Sequence, residues 1–190
     1  MQEKIYLRRL RLGDVNKKYL RWVNDPYVTE FLEIGKKRLL KSDLVSYIKE
    51  SPKKGRQNYA IITEKSQQHI GNSSVYSINL DKKKFEIGYF IGEKKFWGGI
   101  YSSLIIFNLL KIGFIKMNLE KCEGAINEKH IKGRLTNKFV GYKEIQKIKE
   151  YNKKTNENTS IIKIEISKKD WLKNAKALSL KYPGFFKTSF

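Results

Sequence analysis

The chain has 190 residues, of which 40% are hydrophobic and 13% aromatic, a composition that excludes a disordered chain and suits one domain with a sizeable core. Its 40 Lys and Arg against 19 Asp and Glu give a formal charge of +21, which favours polyanions in general; the lysines are scattered in short runs such as Lys53-Lys54 and Lys82-Lys83-Lys84 that read as solvated turns, so nucleic acid is not the expected partner. One cysteine, Cys122, excludes an internal disulfide and a multi-cysteine zinc site, and two histidines, His69 and His130, leave little for a histidine-built metal centre, so no metal is expected.

In chain order, Met-Gln-Glu-Lys-Ile-Tyr runs straight into a strand-like alternation over Ile5 to Leu12, without the pattern of a signal peptide, and a cytoplasmic chain is expected. Asp14 is a candidate N-cap for a helix through Trp22, which Asn24-Asp25-Pro26 ends. A short helical piece over Tyr27 to Leu32 and a helix over Leu44 to Lys49, opened by Ser42-Asp43, follow. Pro52 to Gln57 reads as a basic turn. Asn58 to Thr63, Gly71 to Leu80 and Phe85 to Ile91 read as strands of an antiparallel meander, with the hairpin turn at Asp81 to Lys84. Gly98-Gly99 precedes an apolar helix, Tyr101 to Phe114. The most apolar stretch, Leu104 to Ile115, is broken by Asn108 and Lys111 and falls short of the roughly 20 residues of a membrane span. Leu119 to Ile126 is strand-like, and Glu128 to Phe139 is amphipathic and helical. Tyr142 to Tyr151 and Ile161 to Ser167 are closing strands around a polar loop, Asn152 to Ser160. The order β-α-α-β-β-β-α-β-α-β-β, with its central meander, gives an α/β (α+β) domain with a mixed sheet and excludes a doubly wound nucleotide fold. One domain over 1–171 is expected, then a basic aromatic tail over 172–190 that packs loosely or meets a partner.

The segment richest in chemical information runs from Phe85 to Ser103. A strand leads through a short turn into a glycine pair and then a helix start. The first-turn amides near Tyr101 to Leu104 have no intrahelical acceptors, and with the helix dipole they suit a pyrophosphate. Gly98 and Gly99 allow close backbone approach and positive φ, which a plain strand-to-helix turn would also require.

Several blocks together resemble the GNAT family of acetyl-CoA-dependent N-acetyltransferases, in the branch that includes ribosomal-protein N-terminal and amino-sugar acetyltransferases. They are Ile5-Tyr-Leu-Arg-Arg-Leu with Asp14, Tyr19-Leu-Arg-Trp-Val-Asn-Asp-Pro, His69-Ile-Gly-Asn, Glu86-Ile-Gly-Tyr-Phe-Ile-Gly with Phe96-Trp-Gly-Gly, Lys138-Phe-Val-Gly-Tyr, and Ser167-Lys-Lys-Asp-Trp. The resemblance covers nearly the whole chain. It implies a largely antiparallel sheet of about seven strands, flanked by helices and splayed at a central strand pair. The sequence departs from the family where Ile100 stands for the loop's central glycine, Ser102 for its final small residue, and His130-Ile-Lys-Gly133 for Asn-x-x-Ser.

By this resemblance, acetyl-CoA is the donor. Its pantetheine arm lies along Tyr89, Phe90 and Ile91, paired like an added strand. Its pyrophosphate lies at Trp97, Gly98, Gly99, Ile100, Tyr101, Ser102 and Ser103. Asn127, His130 and Arg134 lie near the thiol end or the phosphates. A neutral primary amine attacks the thioester directly, so its ammonium must first lose a proton. Glu86 is the candidate base, against the alternative of a carboxylate paired with a neighbouring lysine. His130 is the candidate to return a proton to the departing thiolate or to accept one from the amine, against a solvated helix histidine. Cys122 reads as a buried strand residue. The expected acceptor is a small amine, foremost an amino sugar on a nucleotide. A protein N-terminus, as in ribosomal proteins, and a non-catalytic nucleic-acid-binding module are the alternatives. A homodimer is compatible with the resemblance.

Overall fold

A computed structural model describes residues 3–32, 34, 37–98, 100–152 and 157–186. β1 spans Ile5–Arg9, shorter than the expected Ile5 to Leu12. The chain turns over Leu12–Asp14, and Asp14 closes that turn by accepting from the Arg11 amide (2.8 Å) and from the forked Arg8 guanidinium (2.8 and 2.7 Å). With its carboxylate occupied there, Asp14 does not cap the first helix. Asn16 caps α1 (Lys17–Val23), accepting from the Tyr19 amide at 3.0 Å. Pro26 opens α2 (Pro26–Thr29), where its missing N–H is no loss, and Asp25 caps it. α3 (Lys41–Glu50) starts just before the expected Ser42-Asp43, with the Asp43 carboxylate accepting from the Leu40 amide at 2.7 Å.

Next come β2 (Gln57–Thr63), β3 (His69–Asn79) and β4 (Lys84–Ile91), then α4 (Tyr101–Lys111), which runs on into a single π-turn at Ile112–Lys116. β5 (Lys121–Asn127), α5 (Ile131–Val140), β6 (Lys143–Asn152) and β7 (Glu157–Ser167) follow. β7 begins at Glu157 and not at Ile161, so most of the expected polar loop is hairpin; its centre, 153–156, lies outside the described residues.

The seven strands form one sheet in the order β1-β2-β3-β4-β5-β7-β6. Every neighbouring pair is antiparallel except β4 and β5. One face packs on α4, around Ile61, Val75, Phe85, Leu109, Phe114 and Ile166. The other carries a second core of Tyr19, Trp22, Val23, Leu44, Ala60 and Ile62 from α1, α3 and β2.

The C-terminal segment corrects the expected loose tail. α6 (Lys168–Lys181) crosses the expected boundary at 171/172. Trp171, Ala175 and Leu178 recur at helical spacing and are buried, and Phe107 of α4 lies 5.3 Å from Trp171 and 5.1 Å from Phe186 between ring centres. The segment is therefore part of the core up to Phe186; Phe190 lies outside the described residues.

Candidate active site

β4 and β5 pair at only three positions, Lys84↔Lys121, Phe85↔Cys122 and Glu86↔Glu123. Both strands continue beyond, to Ile91 and Asn127, without meeting. Their outer flanks stay paired, β4 with β3 up to Gly71↔Ile91 and β5 with β7 up to Asn127↔Ile161, so two intact strands diverge and leave a slot in the sheet. The Gly92 amide bonds Ile70 O at 2.8 Å. Because pairing alternates along an antiparallel ladder, Phe90 and Gly88 also turn their N–H and C=O towards β3, and Tyr89 and Ile91 turn theirs into the slot. Such an unpaired edge is a template for another extended, amide-bearing chain. The Ile91 carbonyl accepts from the Trp97 indole N–H at 2.7 Å, which ties the following loop to the strand end.

At the slot's open end, Gly98 takes φ +81° and Ile100 takes φ −90°, ψ −9°. The left-handed turn thus falls on Gly98, and Ile100 occupies ordinary helical space with its side chain packed on the core. Gly99 lies outside the described residues. The Leu104 amide bonds Ile100 O at 2.9 Å, while the amides of Tyr101, Ser102 and Ser103 meet no acceptor among the described residues. Unpaired amides at a helix start, with the helix dipole behind them, favour an anion. The Tyr101 hydroxyl accepts from the Glu3 amide at 3.3 Å, and Ser103 is buried. Burial raises the pKa of the Tyr89 phenol, partly offset by the adjacent Ser102 hydroxyl.

Alternation along β4 sends Glu86, Gly88 and Phe90 to the α1 face. Phe90 stacks between helix and sheet, 6.3 Å from Tyr19 and 6.4 Å from Trp22 between ring centres. Glu86 has no ion-pair partner among the described residues. The neighbouring Lys84 is taken by Glu123 at 2.7 Å, so the alternative reading of Glu86 as half of a lysine pair does not hold. Tyr76, opposite Glu86 in the β3–β4 register, lays its ring over Gly88, where a Cβ would lie 3.3 Å from Cε1. Burial, and then the Glu86 carboxylate beside its hydroxyl, push the Tyr76 phenol up to about 12.

His130 precedes α5 as its N-cap instead of lying inside the helix, because the Asn127 side chain folds a turn there. Asn127 Oδ1 accepts from the Lys129 amide at 2.9 Å, and its carbonyl from the His130 amide at 3.0 Å. The imidazole stacks on Phe31 from the α2 side (4.3 Å between centres, 6° between planes), and burial lowers its pKa. A Cβ on Gly133 would sit 2.7 Å from that ring, so the imidazole in this position requires glycine three residues on. Arg134 forks onto Glu144 at 2.8 and 3.0 Å, and that pair must break before both of those nitrogens can meet a phosphate.

His69 bonds Gly71 O and Asn72 Oδ1 and meets Trp22 edge-on at 5.1 Å, a structural position. Cys122 is buried with its thiol pKa raised, and accepts from the Tyr142 hydroxyl at 3.0 Å. No set of three His, Cys, Asp or Glu side chains gathers to hold a metal, and no helix is long and apolar enough to cross a membrane, among the described residues. Sequence reading missed Tyr76 and Arg56. Continuing the hairpin register back from Asp81 to Lys84 sets Tyr76 opposite Tyr89; the irregularity between Tyr76 and Asn79 is what moves it opposite Glu86.

A family model described as an acetyltransferase (GNAT) domain matches residues 4–135. An uncharacterized N-acetyltransferase, p20, of Bacillus licheniformis is 27% identical over 127 residues, covering 65% of this chain and 70% of that protein. Among solved structures, the spermidine N-acetyltransferase of Vibrio cholerae in complex with CoA and spermine superposes with a TM-score of 0.78 at 16% identity, over 89% of this chain and 98% of its own. A GNAT-family acetyltransferase of Bacillus anthracis gives 0.74 at 16%, again over 89% and 98%.

Proposed function

The chain belongs to the GNAT acetyltransferase family and is an N-acetyltransferase that uses acetyl-CoA, and from this we propose that it acetylates a primary amine carried on a nucleotide-linked sugar, with Glu86 receiving the ammonium proton. The observation that carries the reading is the slot between β4 and β5, with Glu86, in no ion pair among the described residues, at its root. The open N–H and C=O of Tyr89 and the N–H of Ile91 fit an amide-bearing arm, and the open amides of Tyr101 to Ser103 fit a pyrophosphate.

Acetyl-CoA supplies an activated acetyl thioester. The protein's residues do the rest. The Ile91 N–H faces the slot and is available to a developing oxyanion. Glu86, on the α1 face, takes the proton that an ammonium must lose before it can act as a nucleophile. The Tyr76 hydroxyl, beside Glu86, orients that carboxylate. His130, kept neutral by burial, acts as proton donor at the thiol end only after it has gained a proton.

A polyamine acceptor, as for the spermidine N-acetyltransferase of Vibrio cholerae, is the second reading, favoured by the likeness of the fold. The charge of +21 opposes it, since a polycation needs carboxylates to receive it, and the same charge attracts a nucleotide diphosphate. Thiol release from acetyl-CoA, followed over nucleotide-linked amino sugars, spermidine and peptide N-termini, decides between them. The proposal expects the highest kcat/KM for a nucleotide-linked amino sugar; a preference for spermidine or a peptide would overturn it.

A further inference from the structure

Arg56 stands on the same face as Glu86 and has no part in the chemistry above. It follows Gly55, whose φ of +67° ends the turn after α3, and its side chain reaches over β3. Nη1 donates to Ser74 Oγ at 3.1 Å and to the Tyr47 hydroxyl at 3.4 Å. The guanidinium carbon lies 4.0 Å from the centre of the Tyr76 ring. The Nε–Nη2 edge meets no acceptor among the described residues, and no carboxylate there pairs with Arg56. Arg8 and Arg134, by contrast, spend their forks on Asp14 and Glu144. The Tyr76 ring thus carries the arginine on its face and has Glu86 beside its hydroxyl.

Resting on the reading of Glu86 as the amine's base, we infer that Arg56 binds an oxyanion of the acceptor, a carboxylate or phosphate borne several bonds from the amine. A guanidinium held by two hydroxyls and an aromatic face is ordered before any ligand arrives, and its open edge matches two oxygens of such a group. The separation of Arg56 from Glu86 by one tyrosine ring keeps the anion off the carboxylate. It also selects acceptors whose acid and amine groups are not on one carbon. A polycation meets Arg56 as a like charge.

The test uses matched pairs of amines, glucosamine with glucosamine phosphate and aminohexanol with aminohexanoate, titrated calorimetrically into the CoA-saturated protein. The anionic member of at least one pair is expected to bind about ten-fold tighter, and the pair that shows it distinguishes phosphate from carboxylate. Arg56→Gln is expected to abolish that preference with CoA affinity unchanged, and Arg56→Lys to restore part of it, having charge without the fork. Absence of a preference in the wild-type protein, or its survival in Arg56→Gln, overturns the inference. Failure of the reading on which the inference stands shows separately, as CoA that does not bind before any amine is added or as unchanged kcat in Glu86→Gln, neither of which depends on Arg56.

Discussion

Glu86→Gln is expected to lower kcat about 100-fold near neutral pH, with KM for acetyl-CoA unchanged. The amide keeps the size and place of the side chain beside the Tyr76 hydroxyl but cannot take a proton. Because Glu86 makes no ion pair among the described residues, the substitution strands no lysine or arginine there, and folding stability stays near that of the parent. In the variant, turnover depends on amine already deprotonated in solution. That fraction rises about ten-fold per pH unit below the pKa of an alkyl ammonium. Activity of Glu86→Gln therefore climbs steeply between about pH 6 and pH 9 and closes part of the gap with the parent. Steady-state thiol release across that range is the measurement, and equal kcat in the two proteins throughout would remove Glu86 from the chemistry.

The second large effect is on the sheet beside the slot. Gly71 faces Ile91 in the narrow, non-hydrogen-bonded type of pair, and a Cβ there would lie 2.1 Å from Phe90 O and 2.9 Å from Ile91 Cα. Both are backbone atoms of β4, so no side chain can move aside. The strands must separate, at a cost of roughly 3 kcal/mol. For a chain of this length that lowers the thermal midpoint by about 6 to 12 °C. Gly13→Ala is the control: nothing lies within 4 Å of a Cβ there, and the expected change is within about 0.5 kcal/mol. Urea unfolding of the two variants measures the difference. A Gly71→Ala protein as stable as Gly13→Ala would mean that β3 and β4 are not in this register.

The sheet was legible because its strands are bounded by strong turn signals and carry clear alternation, and because residues 85 to 103 hold a strand, a glycine break and an apolar helix in succession. Helix starts were less so. Whether Asp14 or Asn16 caps α1 depends on the Arg8 fork, a contact between a strand and the turn after it. The C-terminal helix was hidden by its lysines. Its apolar residues sit on one narrow stripe, Trp171, Ala175 and Leu178, and the basic and aromatic residues around them have the composition of a loose tail. In the site, the splayed strand pair and the candidacy of Glu86 came from the family resemblance and not from local pattern. Arg56 and Tyr76 were not legible, because they come from different elements and meet only when β3 lies against β4 and the turn after α3 folds over them. The fit of Ile100 was likewise a backbone question: once Gly98 takes the positive φ, Ile100 needs none.

The central claim is that the free edge of β4 receives the CoA arm. Residue-resolved amide hydrogen exchange, with and without saturating CoA, tests it most directly. Exchange at the Tyr89 and Ile91 amides is expected to slow on CoA binding, while Phe90, already paired with β3, stays unchanged. CoA binding that leaves Tyr89 and Ile91 exchanging as before would contradict the account.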